Sequence, residues 1–183
     1  DKVGEAVYMD ILNRAGEYVH IMTPYLILDG ELETSLRYAA PRGIDVKLIL
    51  PGIPDKKMVY NLAKRYFRTL LSSGVKIYLY TPGFVHAKVF VSDDVKAVVG
   101  TINLDYRSLY HHFECATYMY GTDCISDIED DFTKCASHRN FDKTAVTYLT
   151  SQSKYLCTAT IGSAYFRIFL GSVIYNICYP FSK

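Results

Sequence analysis

The sequence predicts an α/β domain whose mixed sheet is covered by helices. Three observations carry that expectation. The apolar spacing switches repeatedly between the helical and the strand period from Val3 to Tyr80. The middle of the chain is dense in strands around a turn at Asp93-Asp94. The 183 residues are 50% hydrophobic and 21% charged, enough for one domain with a real core, which excludes a disordered or collagen-like chain.

Val3, Val7 and Ile11 lie on one helical stripe that Gly16 ends, and Tyr18 to Met22 is a short β-rich run closed by Thr23-Pro24. Asp29 is placed to cap a helix through Leu32, Leu36 and Tyr38, which Pro41 and Gly43 stop. Val46 to Leu50 is an apolar strand punctuated by Pro51-Gly52. Asp55 is expected to cap a longer helix carrying Val59, Leu62, Tyr66 and Leu70, ended by Gly74, before a strand from Val75 to Tyr80. Strands then follow over Val85 to Ser92, Lys96 to Ile102 and Phe113 to Tyr120. A final helix runs from Cys124 to Cys135, its first half acidic through Asp127 and Glu129.

Residues 137–183 read as a separate tail behind a main unit of residues 1–136. From Tyr155 to Phe181 the chain is nearly all apolar, aromatic or small, a length that suits a membrane span. Arg167 sits near its middle, however, at a cost of about 2.5–3.5 kcal/mol on insertion scales, and Gly162 and Gly171 weaken a helix. The expectation is a helical tail lying against the domain, a partner half or the bilayer interface. The first residue is not Met, which points to a longer parent chain with a segment upstream; no signal peptide is read at the start. Twenty basic against nineteen acidic residues leave a net charge of +1, which gives no global support to wrapping by nucleic acid but leaves room for a local basic pocket. Five cysteines, Cys115, Cys124, Cys135, Cys157 and Cys178, lack paired CxxC spacing, so neither zinc nor a disulfide framework is expected. Reduced thiols point to a cytosol-facing domain.

One segment stands apart: Phe84-Val85-His86-Ala87-Lys88-Val89-Phe90-Val91-Ser92-Asp93. As a strand it puts Val85, Ala87, Val89 and Val91 on one face and His86 with Lys88 on the other. An imidazole and an ammonium side by side call for an anion, and each lowers the other's proton affinity, which keeps the imidazole neutral. The plain alternative is an edge strand with two solvated polar residues. The next strand carries Thr101 and Asn103 on one face after the small Gly100, and together they could cradle a developing oxyanion. Glu114, in an apolar run, is a natural orienting partner for the His86 ring.

The pattern His86-x-Lys88-x4-Asp93-x6-Gly100-Thr101-x-Asn103 resembles the HKD signature of the phospholipase D superfamily at every position. The strings Tyr80-Thr81-Pro82-Gly83-Phe84 and Asn103-Leu104-Asp105-Tyr106-Arg107-Ser108, followed by Phe113-Glu114, are similar to the second catalytic half of bacterial cardiolipin synthases. Upstream, Thr23-Pro24-Tyr25 and the run from Arg37 to Val46 are similar too, so the resemblance covers roughly residues 1 to 135. It implies an α/β/α sandwich and a phosphatidyltransferase at the cytoplasmic face of a bacterial membrane, with anionic phospholipids of the phosphatidylglycerol kind as substrates. It also implies a phosphohistidine intermediate, no metal or other cofactor, and no nucleic-acid partner. His86, Lys88, Asp93, Asn103 and Glu114 would form the catalytic set, with Gly100, Thr101, Arg107 and Tyr25 contacting substrate.

One departure matters. Family enzymes carry two HKD motifs, whereas His20, His111, His112 and His138 here all lack a Lys two residues on. A complete site then needs a second half or a homodimer. His86 would be the acid/base residue beside a first half, and would play both roles across a symmetric dimer. The rivals are a dimeric single-motif phosphodiesterase acting on nucleic acid, and an inactive orphan half. Asp93 reads more readily as a turn carboxylate paired with Arg107 or Lys96 than as a chemical group. Arg107 could equally meet a phosphate, Tyr25 could line the pocket mouth or simply pack, and the adjacent His111 and His112 point to opposite faces and do not chelate one ion. The Lys56-Lys57 and Lys64-Arg65 pairs read as a solvated helix face that could also attract anionic headgroups.

Overall fold

The computed structural model describes residues 2–137 and 175–178. Helix α1 (Val3–Arg14) leads into β1 (Tyr18–Met22) and the short β2 (Leu26–Ile27). Then come α2 (Gly30–Ala39), β3 (Asp45–Pro51), α3 (Lys57–Ser72) and β4 (Lys76–Tyr80). The hairpin β5 (Val89–Ser92) and β6 (Lys96–Gly100) follows, with β7 (Leu104–Asp105), α4 (Tyr106–Tyr110), β8 (Cys115–Tyr120) and α5 (Cys124–Ser137) behind it. The main sheet has the order β4-β3-β1-β5-β6-β8-β9, where β9 is Tyr175–Cys178. Strands β1, β3 and β4 are parallel, and β1, β5, β6, β8 and β9 are antiparallel neighbour to neighbour.

The two faces of this mixed sheet carry separate cores. On one, Tyr8, Ile11 and Leu12 of α1, Leu32 and Leu36 of α2, and Phe67 and Leu70 of α3 pack on Val19, Ile21, Val46, Leu48 and Phe90. On the other, Ile125, Ile128, Phe132 and Cys135 of α5 cover Met22, Ile49, Val89, Val91, Ala97 and Met119. The alternation of inward and outward residues along β1 and β5 thus feeds both cores, which makes an α/β/α sandwich. Helix α5 is tied down by a buried polar link as well. His20 Nδ1 lies 2.8 Å from Glu129 Oε1, and the imidazole stacks on Phe132 with ring centroids 4.6 Å apart.

Asp29 caps α2 as the sequence predicts, accepting the Leu32 N–H at 2.7 Å. Asp55 does not cap α3. That helix starts at Lys57 with no side-chain cap, because the Asp55 carboxylate is engaged by the Tyr25 hydroxyl at 2.6 Å. The strands are also shorter than their apolar runs. Residues 85–88 precede β5, β6 stops at Gly100, and β8 starts at Cys115. The parallel pair β2–β7 and the single-turn helix α4 have no periodic signal in the sequence and arise from tertiary contact, including the Leu104 N–H donating to Thr23 Oγ1 at 3.2 Å. Within the tail, residues 175–178 form a strand on β8 where a helix is expected, since the β8 ladder offers them partners. The rest of residues 138–183 lies outside the described residues. No helix among the described residues is long and apolar enough to cross a membrane.

The hairpin turn is held from outside. Asp93 and Asp94 both have φ of +54°, the left-handed region that a two-residue hairpin turn demands. Asp93 Oδ1 accepts the backbone N–H of Tyr18 at 2.8 Å and of Glu17 at 3.0 Å, and Oδ2 accepts that of Gly16 at 2.8 Å. Neither Arg107 nor Lys96 is its partner; the carboxylate fastens the hairpin to the entry of β1. Burial pushes the Asp93 carboxyl up, but the three N–H donors together outweigh it and hold the group below the ordinary carboxylate range. A folded-state value below the unfolded one means the stabilisation is complete above roughly pH 5 and fades as pH falls through the ordinary and then the folded value. Asp93→Asn is therefore expected to lower stability at pH 7 by about 1.5–3 kcal/mol in urea unfolding, with the difference from wild type shrinking below pH 4.

Candidate active site

The chain reaches the site through the loop that follows β4. Val85 is 1% exposed and plugs the α5-side core, while Phe84 and His86 on either side of it are exposed and their rings tilt together, 5.8 Å between centroids. The inward–outward alternation expected of a strand is kept although the ladder begins only at Val89. Lys88 is the exception to an exposed polar face: it is 8% exposed, and Nζ donates to the His86 carbonyl oxygen at 2.5 Å. Burial pushes the Lys88 ammonium down, and the negative charges of Glu114 and Asp105 partly restore it. Burial also lowers His86, the Lys88 charge lowers it further, and Asp55 opposes both. The result is a neutral imidazole beside a buried cation.

Gly100 sits at the end of β6, where its N–H donates to the Lys88 carbonyl at 3.2 Å. A Cβ there would overlap the Cys115 carbonyl oxygen and the Ala116 backbone, so only glycine lets β6 and β8 approach this closely. The next residue completes the join. The Thr101 N–H donates to the Cys115 carbonyl at 2.8 Å, its Oγ1 accepts the Cys115 N–H at 3.0 Å, and its hydroxyl donates to Glu114 Oε2. Behind Glu114, Oε1 lies 3.7 Å from His112 Nδ1, and His112 Nε2 accepts from Arg107 Nη2 at 2.8 Å. Arg107 has only donors, so Nε2 carries a lone pair and the neutral ring holds its proton on Nδ1, toward Glu114.

Beyond Thr101 the chain leaves the sheet, so Thr101 and Asn103 do not share a strand face. Asn103 Nδ2 donates to Ser108 Oγ at 2.9 Å, and the buried Asn103 Oδ1 has no partner. Exchanging the two ends of the amide satisfies the oxygen: the Ser108 hydroxyl then donates to Oδ1 and the NH2 is released for an acceptor. Ser108 is fixed in turn by Asp105, whose Oδ1 accepts the Ser108 N–H at 2.8 Å and caps α4. Tyr25 lines a pocket together with Asp55, Lys56 and Phe84. Its phenol is pushed up to about 12, by burial first and then by its hydrogen bond to Asp55.

Several sequence expectations change here. Glu114 is within electrostatic reach of Lys88 and hydrogen-bonds Thr101; the carboxylate whose field reaches the His86 ring is Asp55. Arg107 pairs with a histidine rather than with an acid, because the chain turns after α4 and brings His112 back to it. Asp93 stands at the far end of β5 from His86 and serves the hairpin. Sequence reasoning missed Asp55, Asp105, Ser108 and His112. The sequence offered Asp55 only as a helix cap and His112 only as one of two adjacent histidines that do not chelate one ion. Among the described residues, one acidic grouping is close enough to hold a metal ion, Glu5, Asp29 and Glu31. It lies on α1 and α2, which bear none of the motif side chains, and Lys2 and Tyr110 already engage it.

Chemically, a neutral imidazole at the surface and a buried ammonium two residues on, bonded to the same residue's carbonyl, suit an anion that must be attacked, stabilised or protonated. Two outcomes are expected. In NMR titrations the His86 ring should titrate below an ordinary histidine, rising in Lys88→Met and falling further in Asp55→Asn. Gly100→Ala should destabilise the fold by about 1–3 kcal/mol in thermal unfolding while leaving the secondary structure in circular dichroism largely intact.

Comparison with known proteins narrows the reading. Residues 8–136 match the family described as the cardiolipin synthase, PLD-like domain. An uncharacterized protein of Streptococcus mutans is 64% identical over 162 residues, covering 88% of this chain and 34% of its own length. A cardiolipin synthase of Clostridium perfringens is 43% identical over 127 residues, 69% of this chain and 27% of its own length. The chain thus spans about a third or less of these relatives. Among solved structures, the phospholipase D family member Nuc from Salmonella typhimurium superposes with a TM-score of 0.66 at 15% identity, covering 76% of this chain and 91% of that one. The phosphatidylserine synthase of Haemophilus influenzae gives 0.62 at 19% identity, covering 82% and 39%. With a phospholipase D fold, an HKD pattern in its sequence, and a family match over most of its length, this chain belongs to the cardiolipin synthase, PLD-like domain family.

Proposed function

We propose that this chain supplies the second catalytic half of a cardiolipin synthase-type phosphatidyltransferase, working on anionic phospholipids at a membrane surface. The observation that carries the reading is Lys88, a buried ammonium one residue removed from a neutral, exposed imidazole. The family match and the 34–43% identity to proteins named cardiolipin synthase support the same substrate class.

In the first step a histidine nitrogen of the complementary half attacks the phosphodiester phosphorus. A nitrogen–phosphorus bond forms, the bond to the departing alcohol breaks, and His86, which takes up a proton once the anionic phosphodiester offsets the Lys88 charge, hands that proton to the alcohol. In the second step neutral His86 takes the proton of an incoming hydroxyl, which attacks phosphorus as the nitrogen–phosphorus bond breaks. Lys88 and the freed Asn103 amide hold the nonbridging oxygens in both steps. His86 loses a proton to the departing alcohol and regains one from the incoming hydroxyl, so the phosphatidyl group moves between alcohols without an oxidant or a metal. In a homodimer the two copies of His86 take both roles.

The test is a phosphatidyl-transfer assay on phosphatidylglycerol, with the chain joined to its complementary half or as the dimer. Cardiolipin and glycerol should form. His86→Ala should reduce turnover by at least about 100-fold, and rapid denaturation at neutral to mildly alkaline pH, where a nitrogen–phosphorus bond survives, should trap the phosphatidyl group on a histidine. Cleavage of plasmid DNA without cardiolipin would establish the nuclease reading. Neither product from a folded, assembled protein would establish an inactive half.

A further inference from the structure

The cationic residues are not spread evenly over this nearly neutral chain. Residues 53–68 hold Lys56, Lys57, Lys64, Arg65 and Arg68 against the single acid Asp55, in a chain whose net charge is only +1. Along α3, Lys57, Asn61, Lys64, Arg65 and Arg68 follow the three- and four-residue spacing of one helical stripe. The opposite stripe buries Ala63, Phe67 and Leu70 against the domain. Helix α3 is therefore amphipathic with a basic outer face, not merely a solvated one.

The loop in front of it and its own first turn add a second, apolar feature. Ile53 is 54% exposed and Met58 is 77% exposed, and the pair brackets Lys56 and Lys57. The same loop borders the candidate active site: Pro54, Asp55 and Lys56 line one pocket with Tyr25 and Phe84, and Phe84 contacts the His86 ring. Large exposed apolar side chains set among lysines match the chemistry of an anionic bilayer interface, where cations meet headgroups and apolar tips enter the acyl boundary. They match a protein interface less well, because lysine is depleted from interface cores. A nucleic-acid backbone has no use for the exposed Ile and Met.

We propose that Ile53 in the loop before α3 and Met58 in its first turn, together with the basic stripe of α3, form the surface by which this domain docks on an anionic lipid bilayer. The proposal rests on the phosphatidyltransferase reading for its choice of lipid and adds which face meets it. Docking through this loop sets the mouth of the His86 site at headgroup depth, where a phosphodiester can reach Lys88 without leaving the membrane.

The chain contains no Trp, so a single introduced indole reports without background. Met58→Trp replaces an exposed side chain, and Tyr38→Trp, on α2 at the end of the sheet where β3 begins, serves as the control. With vesicles of phosphatidylcholine containing phosphatidylglycerol, the Met58→Trp emission should shift to the blue and be quenched by brominated acyl chains, while the Tyr38→Trp emission should not. Vesicle association should weaken about fivefold per charge removed in Lys56→Ala/Lys57→Ala and in Arg65→Ala/Arg68→Ala. Vesicle binding with the position-58 indole still in water would overturn the docking face and leave the lipid reading standing. The same would follow from no vesicle binding alongside phosphatidyl transfer on a short-chain, soluble phosphatidylglycerol. Charge substitutions that weaken duplex DNA binding and spare vesicle binding would overturn the proposal in favour of nucleic acid. Absence of both vesicle binding and short-chain transfer would remove the docking proposal and the phosphatidyltransferase reading together.

Discussion

A protonated lysine held under the surface is the constraint on which the rest of the site depends. At 8% exposure the Lys88 ammonium has lost most of its water, and its hydrogen bond to the His86 carbonyl replaces one of three possible donor contacts. The fields of Glu114 and Asp105 offset part of that loss without a direct ion pair being formed. The cation is thus kept charged and under-coordinated, which is the state in which a bound anion gains most from meeting it. The same charge, added to the burial of the ring, keeps the neighbouring imidazole neutral.

The sheet delivers these groups to one end. The parallel strands β1, β3 and β4 finish at Met22, Pro51 and Tyr80, and the segments that follow them contain Tyr25, Asp55 and His86. Because β5 and β6 run antiparallel, the start of one and the end of the other fall at that same end, which brings Lys88 beside Gly100. Site formation beyond the carboxyl ends of parallel strands follows the general behaviour of open α/β sheets. What is particular here is the glycine contact at Gly100, which draws β8 close enough for Thr101 and Glu114 to pair.

The domain is also electrically uneven in a way that its net charge conceals. The basic residues of α3 gather on one face beside the site, while the acidic Asp127, Glu129, Asp130 and Asp131 belong to α5 on the other side of the sheet. One of those acids, Glu129, is used internally against His20. Fold likeness by itself assigns no substrate, since solved structures at 15–19% identity to this chain include proteins of different names and activities.

The sequence by itself determined the layered α/β class, the alternation that feeds two cores, the capped start of α2 and the identities in the HKD pattern. Each of these depends on local period, local caps or residue type at fixed spacing, and such information survives in one dimension. The partners of the charged groups were decided only in three dimensions. Asp55 left its helix for Tyr25, Asp93 fastened Gly16 to Tyr18 instead of pairing with Arg107, and Arg107 turned to His112. Glu114 reached Thr101, and β2 with β7 formed a sheet that no periodicity announces. Hydrogen bonds and ion pairs act over a few ångströms and are indifferent to sequence distance. Which acid meets which donor is therefore set by how the helices and strands pack, after the hydrophobic pattern has already chosen the fold.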